Sequence, residues 1–177
     1  KRRRKRSNVF VHDSAREIRR PLVIRQRLIL LVEDNANDVE LTLRAFQKTN
    51  VANRIVVASD GEQAVHYLFS TGPYATRDPE LMPDVVLLDM KLPKLDGLGV
   101  LRRMRADART KRLPVVVLTS SKEERDVMAS YDLGANSFVR KPVDFDEFVE
   151  AARHLGVYWL TMNEPPPSFG PSWGRTC

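Results

Sequence analysis

The 177 residues carry a formal charge of +6, and the single cysteine is the last residue, Cys177. This excludes an intrachain disulfide framework and makes a reducing, cytoplasmic setting the expected one. No apolar run approaches the ~20 residues of a membrane span, and no apolar segment near the start resembles a secretory signal.

The charge is unevenly held. Residues 1–27 carry +9 and the remainder −3, so the high isoelectric point describes a basic arm rather than the folded body. Residues 1–6 form an unbroken basic run that is expected to be solvated, and Pro21 argues against one continuous helix in the arm. Residues 1–27 are therefore expected to be a flexible or vector-derived extension. Clustered Lys and Arg there would otherwise attract phosphates, but nucleic-acid binding is not the expected role.

Regular structure begins abruptly. Residues 28–32 are fully apolar and end in Glu33-Asp34-Asn35, the pattern of a buried parallel strand. A helix is predicted next, over 36–48, with Asn35 as its N-cap. Ala36, Val39, Leu43 and Phe46 are assigned to its inner face, with Asp38, Glu40 and Arg44 off it. A second strand (54–58) is broken by Asp60-Gly61 before a helix over 62–69. Residues 70–83 hold Gly72, Pro73, Pro79 and Pro83 and are predicted as a long loop. A third strand (84–89), a helix (98–106), a fourth strand (115–119), a helix (122–133), a short fifth strand (137–140) and a last helix (144–158) follow. The inner face of that helix is assigned to Phe145, Phe148, Val149, Ala152 and Leu155. Five apolar strands alternating with five helices predict a doubly wound α/β fold, a parallel sheet covered on both faces, over residues 28–160. The tail, 161–177, holds Pro165, Pro166 and Pro167, is expected to be disordered, and is too short for an output domain.

In such sheets ligands bind beyond the carboxyl ends of the strands. The first strand ends in Glu33-Asp34, the third in Asp89, the fourth in Thr119-Ser120 and the fifth near Lys141. Taken singly, each has an ordinary explanation: a solvated loop acid, a helix cap, a surface lysine. Taken jointly, three carboxylates, a hydroxyl and an ammonium converge on one edge. Clustered carboxylates need a cation, and hard oxygen ligands with room for water suit Mg²⁺. With charge neutralised around it, Asp89 is a candidate nucleophile for a phosphoryl group, held by Lys141 and Thr119.

Four segments together carry a family resemblance. They are Leu31-Val32-Glu33-Asp34-Asn35; Val86-Leu87-Leu88-Asp89-Met90-Lys91-Leu92-Pro93 with Asp96-Gly97; Val117-Leu118-Thr119-Ser120; and Gly134-Ala135-Asn136-Ser137-Phe138-Val139-Arg140-Lys141-Pro142. Over residues 28–158 the chain resembles the receiver domains of bacterial response regulators. The resemblance implies a flavodoxin-like strand order 2-1-3-4-5, with Mg²⁺ held by Glu33, Asp34, Asp89 and the backbone carbonyl of Lys91. It implies phosphorylation of Asp89 by a histidine kinase, with Lys141 as the active-site lysine, and a switch formed by Thr119 and Phe138. Signalling would pass through the fourth helix, fifth strand and fifth helix. The Lys141–Pro142 bond is often cis in such domains. Lys91 and Ser121 occupy positions that tune hydrolysis of the acyl phosphate.

Within the family, the run Asn37-Asp38-Val39-Glu40-Leu41 and the long loop after the second helix look like stand-alone regulators of phytochrome-type kinases. Many of those are homodimers through the fourth helix to fifth helix face. Tyr158 and Trp159 either extend that surface or pack the terminal turn. The first acid is Glu33 where many relatives have Asp.

Three other classes are weaker. A phosphohydrolase with an aspartyl nucleophile needs an acid two residues on, where Lys91 stands. A nucleotide or flavin site needs a Gly- or hydroxyl-rich first loop, where Glu33-Asp34 would repel phosphate. A DNA-binding regulator would act through the arm, without a helix-turn-helix. A degenerate receiver that binds partners independently of phosphorylation is the remaining alternative.

Overall fold

The computed structural model describes residues 27–48, 53–120, 123–142 and 144–164. The arm before residue 27, Ser121 and the tail beyond 164, with the expectations attached to them, lie outside the described residues. The elements run β1 (Arg27–Val32), α1 (Ala36–Gln47), β2 (Asn53–Ala58), α2 (Gly61–Phe69), β3 (Val85–Leu88), α3 (Gly97–Ala106), β4 (Val115–Thr119), α4 (Glu124–Asp132), β5 (Ser137–Arg140) and α5 (Phe145–Val157). All neighbouring strands pair in parallel, in the order β2-β1-β3-β4-β5.

The alternation of side chains along each strand feeds two cores. Leu30, Val32, Val86, Leu88, Val115 and Val117 face α2 and α3, where Leu68, Leu101 and Met104 are buried. Ile29, Leu31, Val85, Leu87 and Val116 face the other way, onto Ala45 and Phe46 of α1 and Val149 and Ala152 of α5. Because both faces are covered, residues 29–32, 85–88 and 115–118 of the three inner strands are apolar and buried, while the edge strands β2 and β5 carry Arg54, Ser137 and Arg140.

Several local expectations are revised. Ala36 is exposed; Phe46 is buried and Val39 packs alongside as expected, and Thr42 and Ala45 are buried with them. The helix predicted over 122–133 is described from Glu124. The last helix continues past Val157 as a single π turn, Tyr158–Met162, closed by Asn163 N donating to Tyr158 O at 2.8 Å. That turn carries Trp159 into the core at 9% exposure, so Trp159 packs the terminal turn while Tyr158 stays 51% exposed. The long loop includes a 3₁₀ turn, Gly72–Tyr74, and is tied to α2. Tyr74 meets Tyr67 edge-on at 5.2 Å, and the Arg77 guanidinium lies 4.4 Å over the Tyr67 ring. No described helix is long and apolar enough to cross a membrane.

The start of α2 is joined to the loop after β3. Asp60 caps α2 by accepting from Gln63 N at 2.7 Å, and its other oxygen accepts from Lys94 Nζ at 2.6 Å. Gly61 is required there, since a Cβ would lie 1.9 Å from Leu95 O. The Lys94 hydrogen bond holds the Asp60 carboxyl below the usual carboxylate range. A depressed folded pKa means the stabilisation is present above the unfolded value, ~3.9, and is lost as pH falls through the folded one. Asp60→Ala is therefore expected to cost about 1–2 kcal/mol at neutral pH, as for other lost N-caps. Urea unfolding in neutral and acidic buffer checks this, the gap from wild type closing in acid.

Candidate functional site

The carboxyl edge of the sheet gathers the residues singled out from the sequence. Glu33 follows β1 directly and Asp89 follows β3, and Asp89 N donates to Val32 O at 3.0 Å, which sets the two strand ends level. One carboxylate oxygen each of Glu33, Asp34 and Asp89 lies within 4.8 Å of the others. Glu33 and Asp89 are buried and Asp34 is exposed, so the cluster has an open side.

Lys141 enters from the end of β5, placed by Lys141 N donating to Thr119 O at 2.9 Å. Its side chain is only 7% exposed. Its Nζ donates to Glu33 Oε2 at 2.5 Å, Asp38 Oδ2 at 2.8 Å and Asp89 Oδ2 at 2.8 Å. Burial works to lower the Lys141 pKa, but hydrogen bonds to Asp38, Asp89 and Glu33 outweigh it and hold the ammonium above its ordinary value. Glu33 moves up as well. Burial is the largest influence and raises its carboxyl, the Asp89 charge adds to the rise, and Lys141 offsets only part of the two together. One ammonium divided among three acids thus leaves Glu33 under-compensated, while Asp34 adds a further negative charge. The donor set, all hard oxygen on an open-sided cluster with excess negative charge, fits a Mg²⁺-type cation.

Asp89 is held by the loop that follows it. Oδ1 accepts from Met90 N at 2.5 Å and Lys91 N at 3.2 Å. The loop returns at once, with Gly97 N donating to Met90 O at 3.0 Å. A Cβ at Gly97 would lie 2.3 Å from Asp89 O, so this approach is open only to glycine. Thr119, at the end of β4, is fully buried. Phe138 is partly buried against the core that faces α2 and α3, two residues before the exposed Arg140.

Two features depart from the expectations. There is no cis peptide bond among the described residues, so Lys141–Pro142 is trans. Asp38, assigned to the outer face of α1, instead reaches Lys141.

An open parallel sheet with this acidic edge, a buried lysine and a strand-end hydroxyl is the build of a phosphoacceptor domain. Residues 29–153 match the response regulator receiver domain, and the chain belongs to that family. Within it, the chain is 34% identical over 134 residues to response regulator Rcp1 of Synechocystis sp., covering 76% of this chain and 89% of Rcp1. The Mn²⁺-bound structure of Rcp1 superposes with a TM-score of 0.74 at 33% identity, covering 80% of this chain and 99% of that one. The phosphorylated cyanobacterial phytochrome response regulator RcpA gives 0.75 at 36% identity, with 80% and 99% covered. The bacteriophytochrome response regulator AtBRR gives 0.63 at 53% identity, with 78% and 99% covered.

Proposed function

We propose that this receiver takes a phosphoryl group from a histidine kinase, of the phytochrome type, onto Asp89. The observation that carries the reading is the Lys141 ammonium 2.8 Å from Asp89 Oδ2, inside a carboxylate cluster at the carboxyl edge of the sheet. A phosphorylated RcpA and a Mn²⁺-bound Rcp1 support it. The working compartment in this reading is the cytoplasm.

In the transfer, a carboxylate oxygen of Asp89 forms a bond to phosphorus as the P–N bond of the phosphohistidine breaks. The leaving imidazole keeps the electron pair and takes up a proton. Backbone N–H groups of Met90 and Lys91 orient the carboxylate beforehand. Lys141 moves its third donor from the Asp89 carboxylate to a phosphoryl oxygen, where charge builds up. The Thr119 hydroxyl donates to a second oxygen. Phe138 then rotates inward, which changes the face formed by α4, β5 and α5. Glu33, Asp34, Asp89 and the Lys91 carbonyl would hold Mg²⁺, which supplies neutralising charge to the cluster and the incoming phosphoryl group. Radiolabel carried on a kinase phosphohistidine should pass to the chain with Mg²⁺ and stay put in EDTA. Label that remains on the kinase in Mg²⁺, with beryllofluoride also failing to bind, would make the protein a phosphorylation-independent interaction module.

The partner on the signalling face is, in this reading, a second copy. An apolar groove of about 530 Å³ runs beside β5, lined by Val139, Leu155, Tyr158 and Trp159 among others. Tyr158 is exposed, as are Met128 and Tyr131 of α4. Tyr158→Asp should turn a dimer into a monomer by light scattering; wild type and variant of equal mass would remove this face from the assembly.

A further inference from the structure

We infer that Asp38 is a positioning residue for Lys141, the acceptor that keeps the ammonium in place when its other two partners are engaged elsewhere. The inference rests on the reading of Asp89 as the phosphoacceptor.

An ammonium has three N–H donors, and all three of Lys141's go to carboxylates. The three acceptors differ in what else they do. Glu33 and Asp89 belong to the group, with Asp34, whose oxygens lie within 4.8 Å of one another. Once that group holds a cation and Asp89 carries a phosphoryl group, the oxygens of Glu33 and Asp89 acquire competing partners. Asp38 stands outside the group. It comes from the first turn of α1 rather than from a strand end, and reaches Lys141 from the side.

Its backbone is well fixed. Asn35 caps the helix by accepting from Asn37 N at 3.0 Å, and Thr42 Oγ1 donates to Asp38 O at 2.8 Å. A first-turn acid commonly needs no explanation beyond the helix dipole. This one is 28% exposed and has its Oδ2 on an ammonium that is 7% exposed. With one donor held by Asp38, a long flexible side chain is restricted to an arc that passes over Asp89. Without Asp38, Lys141 would follow whichever of the remaining acids is least neutralised.

The test is a double-mutant cycle on phosphoryl uptake from acetyl phosphate in Mg²⁺, counted by intact mass over hours so that slow variants still register. Asp38→Ala should lower the maximal rate about tenfold, within the range of coupling energies for contacting charges, and leave half-saturation little changed. Asp38→Asn, which keeps an oxygen acceptor, should recover most of the rate. In a Lys141→Ala background, Asp38→Ala should change almost nothing. Equal fold-losses in both backgrounds, or an Asp38→Asn no better than Asp38→Ala, would overturn the assignment. A wild type that takes up no phosphoryl group would instead overturn the phosphoacceptor reading itself, and this inference with it.

Discussion

Asp89→Asn is expected to take up no phosphoryl group, from acetyl phosphate or from a kinase, at any Mg²⁺ concentration. An amide oxygen is a far weaker nucleophile than a carboxylate. Asp89 sits at a strand end with two backbone donors on one oxygen and a buried ammonium on the other, whereas Glu33, which shares the ammonium, has the single backbone donor Asn35 N. The variant should nonetheless fold. The amide is isosteric, its oxygen can still accept from Met90 N, and Lys141 keeps Glu33 and Asp38. Without Mg²⁺ it should be at least as stable as wild type, because a buried negative charge has left a cluster in which one ammonium serves several acids. Intact mass and thermal unfolding without metal check both halves. Continued uptake would move the acceptor elsewhere in the chain.

Lys141→Ala separates two effects that a loss of fold would merge. Phosphoryl uptake should slow by about 10²–10³-fold, the usual consequence of removing one preorganised donor from developing charge. Mg²⁺ binding should tighten. The ammonium lies 2.5 Å from Glu33 and 2.8 Å from Asp89, two of the three carboxylates that would hold the cation. Two unit charges ~4 Å apart repel by ~4 kcal/mol at an effective dielectric constant of 20, so relief of even part of this should strengthen binding severalfold. Calorimetric titration reads the affinity. A variant that binds Mg²⁺ more weakly than wild type would mean that Lys141 organises the carboxylates more than it competes with the metal.

The site was legible in the sequence to the extent that it sits on strand ends. A parallel strand has a direction, so an apolar run that stops at Glu33-Asp34, Asp89 or Thr119 states which edge those residues occupy. Lys141 was legible for the same reason, one residue past β5. Asp38 was not. Helical periodicity sorts residues by distance from the core, and by that measure Asp38 belongs outside. The overlooked signal is one of position: α1 begins four residues after β1 ends, so its first turn lies over the same carboxyl edge. An acid there can face the cluster even though it faces away from the core.

The fold's other surprises have a similar origin. Asp60 reads locally as a turn residue before Gly61, and its pairing with Lys94 depends on α2 and the β3–α3 loop being brought side by side. Ala36 fitted the apolar spacing of α1 but falls in the first turn, beyond the end of the sheet it was meant to cover. Trp159 was ambiguous because nothing in the residues near it marks a π turn. One extra residue in that turn rotates the indole onto the core that faces α1 and α5, leaving Tyr158 outside.

The central claim, that this acidic edge accepts one phosphoryl group on Asp89 with the help of a divalent cation, has a direct test. The wild-type chain is incubated with acetyl phosphate in Mg²⁺ and, separately, in EDTA. Intact mass is taken, and the modified residue is located by fragmentation. The geometry predicts the mass of a single added phosphoryl group in Mg²⁺, none in EDTA, and its location on Asp89. No added mass in Mg²⁺, or the group on another residue, would contradict it.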